Sequence, residues 1–338
     1  MTEPMASLAA IDAYDGLAFD EGLVAELWRT GERWRGRPLL ASTPSFKHYE
    51  SDELAACAGH GAFPAFSITG SACALQCAHC KGRILEPMLP VADGDALERA
   101  VLDMHARQGV RGFLLSGGSN RRNEVPLARV LPAVRRLKRA LPHLEIAAHT
   151  GLVDETRAQA LAEAGIDVAM LDIIGSAETI RDVYNLDRPV ADFERALAAL
   201  VAAGIAVVPH VVIGLHFGRL LGEAAALDII ARHDTAAAIL VVVMGQFATP
   251  SSFADVSVED AARVFALARE TLPNRRLLLG CARPAGVWRR RADACAVLAG
   301  LDGIAYPADG AVSLARALGR PVDGSASCCG VDGCRKAA

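Results

Sequence analysis

From Phe63 onward the chain alternates short apolar runs with longer stretches in which apolar positions recur every three or four residues. The runs read as strands over Ala65 to Thr69, Gly112 to Ser116, Glu145 to His149, Val168 to Ile173, Ala206 to Ile213, Ala238 to Met244, Leu277 to Cys281 and Gly303 to Tyr306. Amphipathic helices follow over Ala96 to Gln108, Leu127 to Leu141, Glu155 to Ala164, Asp192 to Ala203, Val258 to Leu272 and Val312 to Leu318. Alternation of this kind predicts repeated βα units, a parallel sheet and the α/β class. Eight units would close a (βα)8 barrel of TIM type, with functional residues on the carboxyl ends of the strands. Residues 1–62 carry Leu23, Leu27 and Trp28 at helical spacing, then a looser Gly-, Pro- and Ser-containing piece from Gly36 to His60. They are predicted to form a helical cap, with Trp28 and Trp34 as packing residues. The barrel is assigned to 63–320 and a Cys-rich tail to 321–338.

With 338 residues, 52% of them hydrophobic, the chain can bury a large core. Its net charge of -4, with no basic block, argues against nucleic acid as a partner. The apolar stretch Ala196 to Leu215 is broken by Gly204, Pro209, His210 and Gly214, which predicts helix end, turn and buried strand rather than a membrane span. Nine cysteines without the layout of a secreted scaffold, and a start lacking a signal-peptide pattern, predict a soluble protein of the reducing cytoplasm.

The chemistry concentrates at Cys73-Ala-Leu-Gln-Cys77-Ala-His-Cys80, directly after the first barrel strand. Three thiolates can hold three irons of a four-iron cluster and leave the fourth iron open to a small chelating molecule. Structural zinc prefers paired Cys-x2-Cys knuckles and four closed ligands, and no second pair lies nearby. After the second strand comes Ser116-Gly117-Gly118-Ser119, and the fourth carries Asp172, an acid too costly to bury without hydrogen-bond donors such as ribose hydroxyls. An internal arginine is its alternative partner. His149 ends the third strand and is grouped with the cofactor-binding residues, a hydrogen-bonded core histidine being the alternative. In Leu279-Gly-Cys281-Ala-Arg283-Pro, residues 281 and 283 would face the same side of a strand, and a thiol and a guanidinium would enter the cavity together. The tail, Ser327-Cys328-Cys329-Gly-Val-Asp-Gly-Cys334, offers three further thiols for an auxiliary cluster, with Cys281 or a non-cysteine group as the fourth ligand. Redox-active or zinc-binding cysteines are the alternatives there. Cys57 and Cys295 read as buried thiols. Arg121, Arg122, Arg219, Arg289, Arg290 and Arg291 gather at the predicted rim, where they would answer an external anion or form a solvated charged face.

The Cys-x3-Cys-x2-Cys loop after a first strand resembles the signature of the radical S-adenosylmethionine (SAM) superfamily. Together with Ser-Gly-Gly, His-Thr-Gly-Leu, Val-Tyr-Asn-Leu, Pro-His-Val-Val-Ile-Gly-Leu, Leu-Gly-Cys-Ala-Arg-Pro and the terminal Cys-Cys, it is similar to the biotin-synthase-related group. Within that group it is most similar to the two-protein lipoyl synthases. The resemblance implies a radical SAM barrel with a [4Fe-4S] cluster on Cys73, Cys77 and Cys80 that cleaves SAM to a 5′-deoxyadenosyl radical. It implies that Gly117 and Gly118 receive the SAM amino group, although Ser119 stands where the family has an acid. It also implies that Ile213, Gly214 and His79 lie near the adenine. In such enzymes Cys281 and Arg283 fall at the strand-seven approach to an auxiliary cluster, which donates sulfur to a substrate radical at C6 or C8 of a protein-bound octanoyl chain. The implied partners are a second radical SAM subunit, an octanoylated carrier (a lipoyl domain or a glycine-cleavage H-type protein), and an electron donor such as ferredoxin or flavodoxin. A biotin-synthase-like maturase or methylase, and a non-catalytic iron–sulfur assembly protein, are the competing readings.

Overall fold

The computed structural model describes residues 2–44, 49–54, 63–245 and 253–334. Eleven strands form one sheet: β1 (Leu39–Ser42), β2 (Ala65–Ser67), β3 (Leu89–Pro90), β4 (Gly112–Ser116), β5 (Glu145–His149), β6 (Val168–Asp172), β7 (Ala206–Ile213), β8 (Ala237–Val242), β9 (Arg276–Leu279), β10 (Gly303–Ala305) and β11 (Val322–Ser325). Their order is β11-β1-β10-β9-β8-β7-β6-β5-β4-β2-β3, and every pairing is parallel. The eight expected strands, β2 and β4 to β10, therefore lie side by side in sequence order. The sheet curls: Ala65, Leu114, Ala147, Val168, Met170, Val208, Ile239, Leu278 and Ala305, one or two from each of these strands, meet in a single apolar cluster. A flat sheet could not bring β2 and β10 together in this way, so the cluster is the lumen of a TIM-type fold.

Strands such as β8, Ala-Ala-Ile-Leu-Val-Val, are apolar throughout because the lumen covers one face and helices the other. Several of the helices start where short polar side chains cap them. Asp93, Asp154, Ser176 and Ser257 accept from the backbone N–H of Ala96, Arg157, Thr179 and Asp260. Gly109 and Gly165 end two of them in left-handed conformations that glycine adopts without strain.

The N-terminal segment contributes more than helices. Helices Glu3–Ala9 and Glu21–Thr30 precede β1, which inserts between β10 and β11. Trp34 is buried, with the Arg269 guanidinium 4.0 Å above its ring, and Arg35 stacks 3.7 Å over Trp28, so both tryptophans are packing residues. Cys295 is a buried thiol; Cys57 lies outside the described residues. Among the described residues no helix is long and apolar enough to cross a membrane.

The tail turns inward. After β11 the chain forms a last helix, Cys329–Cys334, that packs against β5 to β10 and β1. Cys328, Cys329 and Val331 belong to the lumen cluster, and Gly330 lies so close to Met170 that an added Cβ would fall 2.3 Å from its sulfur.

Candidate active site at the mouth of the barrel

The loop after β2 winds tightly, with Gln76 and Lys81 in left-handed conformations at φ 47° and 50° and Gly70 and Gly82 beside them. Its neighbours hold it in place. Gln76 Nε2 donates to the Cys73 carbonyl at 2.7 Å and Asn185 Nδ2 to the Leu75 carbonyl at 3.2 Å. The N–H groups of Ala74 and Ala78 donate to the carbonyls of Ser119 and Val183. This winding turns Cys73, Cys77 and Cys80 onto one wall of a cavity of about 270 Å³. Cys77 and Cys80 are buried and Cys73 half-buried. Burial, with the neighbouring thiols, pushes the Cys80 thiol up to about 11 and Cys77 higher still, so these sulfurs ionise only beside a cationic centre such as iron. Three thiols converging on one cavity, with no fourth beside them in the loop, fit the three-cysteine cluster.

The Gly-Gly turn serves that loop as well as the cavity. Gly117 lines the cavity. A Cβ on Gly118 would stand 1.9 Å from the Ala72 carbonyl oxygen and 2.5 Å from Cys73 Cα, so only glycine admits the cysteine loop there. The Gly118 N–H donates to Thr69 Oγ1 at 2.7 Å, which fixes the turn, and Gly118 lines the cavity beside Gly117.

Opposite the cysteines, β5, β6 and β7 present inward residues at period two: His149, Asp172, and His210 with Val212. Asp172 has a partner other than the arginine considered from sequence: Tyr184 Oη donates to its Oδ2 at 2.8 Å. His79 stacks on the Tyr184 ring, centroids 5.2 Å apart. Burial holds His79 down to about 4, with Asp172 partly opposing, and its Nδ1 is buried with no hydrogen-bond partner among the described residues. His149 and His210 face one another at 5.2 Å, and His210 Nδ1 is likewise unpartnered. Two ring nitrogens desolvated without partners at a cavity wall suit a bound polar molecule. Sequence reasoning passed over Tyr184 and His210. The period-two register of β7 was the available signal for His210, whereas the contact between Tyr184 and Asp172 crosses elements and left no local pattern.

Two other expectations are corrected. Ile213 is fully buried in the core, since the inward residue of β7 at this level is Val212, and the Gly214 N–H donates to the buried Glu223 carboxylate at 2.8 Å. Neither lines the cavity. Strand β9 ends at Leu279, so the same-face rule does not extend to residues 281 and 283. Cys281 does line the cavity, but Arg283 is buried and spends all five N–H donors internally: on both Asp293 carboxylate oxygens and on the carbonyls of Gly280, Ala305 and Tyr306. The arginine triplet is engaged only in part. Arg289 donates to the Arg283 carbonyl, Arg290 to the Ala13 carbonyl, and Arg291 pairs with Glu259. Arg122 pairs with Glu124.

The tail cysteines adjoin this cavity. Met88, Val241 and Cys281 line it and also pack against the lumen cluster that contains Cys328 and Cys329, with Cys334 at its margin. Among the described residues no three His, Cys, Asp or Glu side chains sit close enough to hold a single metal ion, so neither cysteine set is a ready-made mononuclear site.

The curled parallel sheet thus carries a three-cysteine loop directly after its first core strand, at the mouth of the cavity. Residues 67–219 match the Radical SAM superfamily. No curated protein matches the chain by sequence. It is similar in fold to methylornithine synthase (PylB), with TM-score 0.59, 14% identity, and 90% of this chain and 82% of that one covered. It is also similar to HydG, a maturase of the [FeFe]-hydrogenase, with TM-score 0.58, 14% identity and coverage of 89% and 67%. HydG from Carboxydothermus hydrogenoformans gives TM-score 0.55, 17% identity and coverage of 84% and 62%.

Proposed function

We propose that this chain is a radical SAM sulfur-inserting enzyme. It acts with a second radical SAM subunit on an octanoyl chain carried by a protein lysine, and takes electrons from a ferredoxin- or flavodoxin-type donor. When bound, the [4Fe-4S] cluster and SAM supply a radical able to take hydrogen from an unactivated carbon. The residues of this chain divide the remaining work. Cys73, Cys77 and Cys80 would hold the cluster, and the Asp172–Tyr184 pair with His79 forms a polar and aromatic wall suited to an adenosine. Val212, Val241, Val242 and Met244 give the cavity an apolar side suited to an alkyl chain and poor in water, which keeps a reactive carbon from side reactions.

The observation that carries the sulfur-insertion reading is the path of the tail. It delivers Cys328, Cys329 and Cys334 into the lumen, beside the cavity that faces the first three thiols. A purely structural cluster has no need of that position; a sulfur source does. The reading is tested by incubating the anaerobically reconstituted protein, with and without its partner subunit, with an octanoylated carrier peptide. Sulfur gain by mass, with release of 5′-deoxyadenosine, is the expected result. Release of 5′-deoxyadenosine with no sulfur gain under any combination would remove the lipoyl assignment and favour a biotin-synthase-like maturase or methylase.

A further inference from the structure

We infer that the Cys281 thiolate, and not the Arg283 guanidinium, completes the ligand set of the second cluster that Cys328, Cys329 and Cys334 would hold. The inference rests on the reading of the tail given above. Arg283 is 1% exposed, and its five donors are matched by five acceptors. To reach a cluster it would have to leave the Asp293 carboxylate buried without its counter-charge and strip three carbonyls of their donor. The residue two places earlier, Cys281, lies on the cavity wall. At Gly280 the backbone runs so close to β8 that a Cβ would lie 2.5 Å from Val241 and 2.7 Å from Ile239. Cys281, the next residue, lines the cavity and packs against the cluster of lumen residues that includes Cys328 and Cys329.

Arg283 is a positioning residue in this arrangement. Its Nη1 donates to the Gly280 carbonyl at 2.7 Å and to the Ala305 carbonyl at 2.8 Å, which ties the turn carrying Cys281 to the end of β10. The chemistry agrees with the geometry. A thiolate is the ordinary ligand of an iron–sulfur cluster, and a fourth thiolate leaves no iron open. The two cysteine sets then differ in kind: Cys73, Cys77 and Cys80 leave one iron for a chelating ligand, whereas the lumen set is closed by protein. Cys281, the one cysteine shared by the cavity wall and the lumen cluster, is the protein ligand placed toward the substrate space.

The test uses the full chain with Cys73, Cys77 and Cys80 all changed to Ala, so that any remaining iron belongs to the second site. After anaerobic reconstitution this variant is expected to keep about four irons and four sulfides per chain, read by iron and sulfide analysis and by electron paramagnetic resonance after reduction. Adding Cys281→Ser is expected to shift the resonance or lower the iron content at least twofold. Far-UV circular dichroism and the melting curve confirm that the serine variant is folded, and Cys281→Ala provides a second form. A triple variant that binds no iron overturns the tail reading and this assignment with it. Iron retained in the triple variant, with resonance and iron content unmoved by both Cys281 changes, overturns the Cys281 assignment alone. A signal lost on Arg283→Lys and kept on Cys281→Ser gives the position to the arginine.

Discussion

Asp293→Asn removes the carboxylate that faces Arg283 at the base of the Cys281 turn. Both side chains are fully buried, joined by two hydrogen bonds of 2.8 Å, and Asp293 also accepts the Ala308 N–H at 2.8 Å. Asparagine keeps one acceptor oxygen and leaves the guanidinium charge uncompensated away from water, a change that costs about 3–5 kcal/mol. Against a total stability of about 5–15 kcal/mol, that is a large fraction. Arg283→Met should cost more than Asp293→Asn, because it strands the carboxylate and also orphans the carbonyls of Gly280, Ala305 and Tyr306, at about 1–3 kcal/mol each. The double change Arg283→Met with Asp293→Leu removes both charges and should recover part of the loss, but the three carbonyls remain unpaired, so recovery stays incomplete. Urea unfolding at constant slope reads these differences from the midpoints. An Asp293→Asn loss below about 1 kcal/mol, or a double variant as stable as the parent, would refute the reasoning that a buried charge pair and its carbonyl partners hold this turn.

Gly118→Ala should push the cysteine loop away from the Gly-Gly turn, since the new methyl meets backbone at 1.9 Å. The expected result is a loss of about 1–3 kcal/mol and reduced iron uptake at the first cluster, measured by melting and iron analysis; Gly117→Ala, which first meets the Ile68 side chain at 2.9 Å, should be milder. Wild-type iron uptake by Gly118→Ala would contradict the role given to that glycine. His210 titrates at about 4 in the folded chain because of burial, with His149 acting in the same direction and Asp172 opposing. A folded value below the unfolded value near 6.5 means that the unfolded chain takes up the proton first, so this stability is intact above about pH 6.5 and drains away as pH falls toward 4, by up to about 3 kcal/mol. His210→Gln should flatten that part of the stability profile, and an unchanged acid limb would show that the histidine is not held neutral.

The barrel was legible because parallel strands covered on both faces write themselves as unbroken apolar runs: Ala206 to Ile213 was read as a strand with the bounds it has. The cysteine loop was legible because all its thiols lie within one short segment. What escaped is what depends on distant partners. Leu39–Ser42 is four residues in a Gly- and Pro-containing stretch, and it becomes a strand only through β10 and β11. Asp172 was singled out as an acid in an apolar strand, yet its partner Tyr184 could come only from three dimensions. Arg283 was misplaced because strand alternation was carried past Leu279, where the strand stops. At Ile213 and Gly214 the family pattern pointed to a ligand, whereas the local register turns one residue into the core and Glu223 takes the N–H of the other.

The insertion of β1 between β10 and β11 also sets a timetable. Leu40 aligns with Gly303 and with Asp323, so the first strand of the chain finds both neighbours only after nearly all of the polypeptide has emerged. Ladders of such long sequence separation close slowly. During synthesis the N-terminal segment must wait with Leu39 and Ala41, both wholly buried in the finished molecule, still uncovered, a period in which a chaperone or a neighbouring nascent chain can claim them.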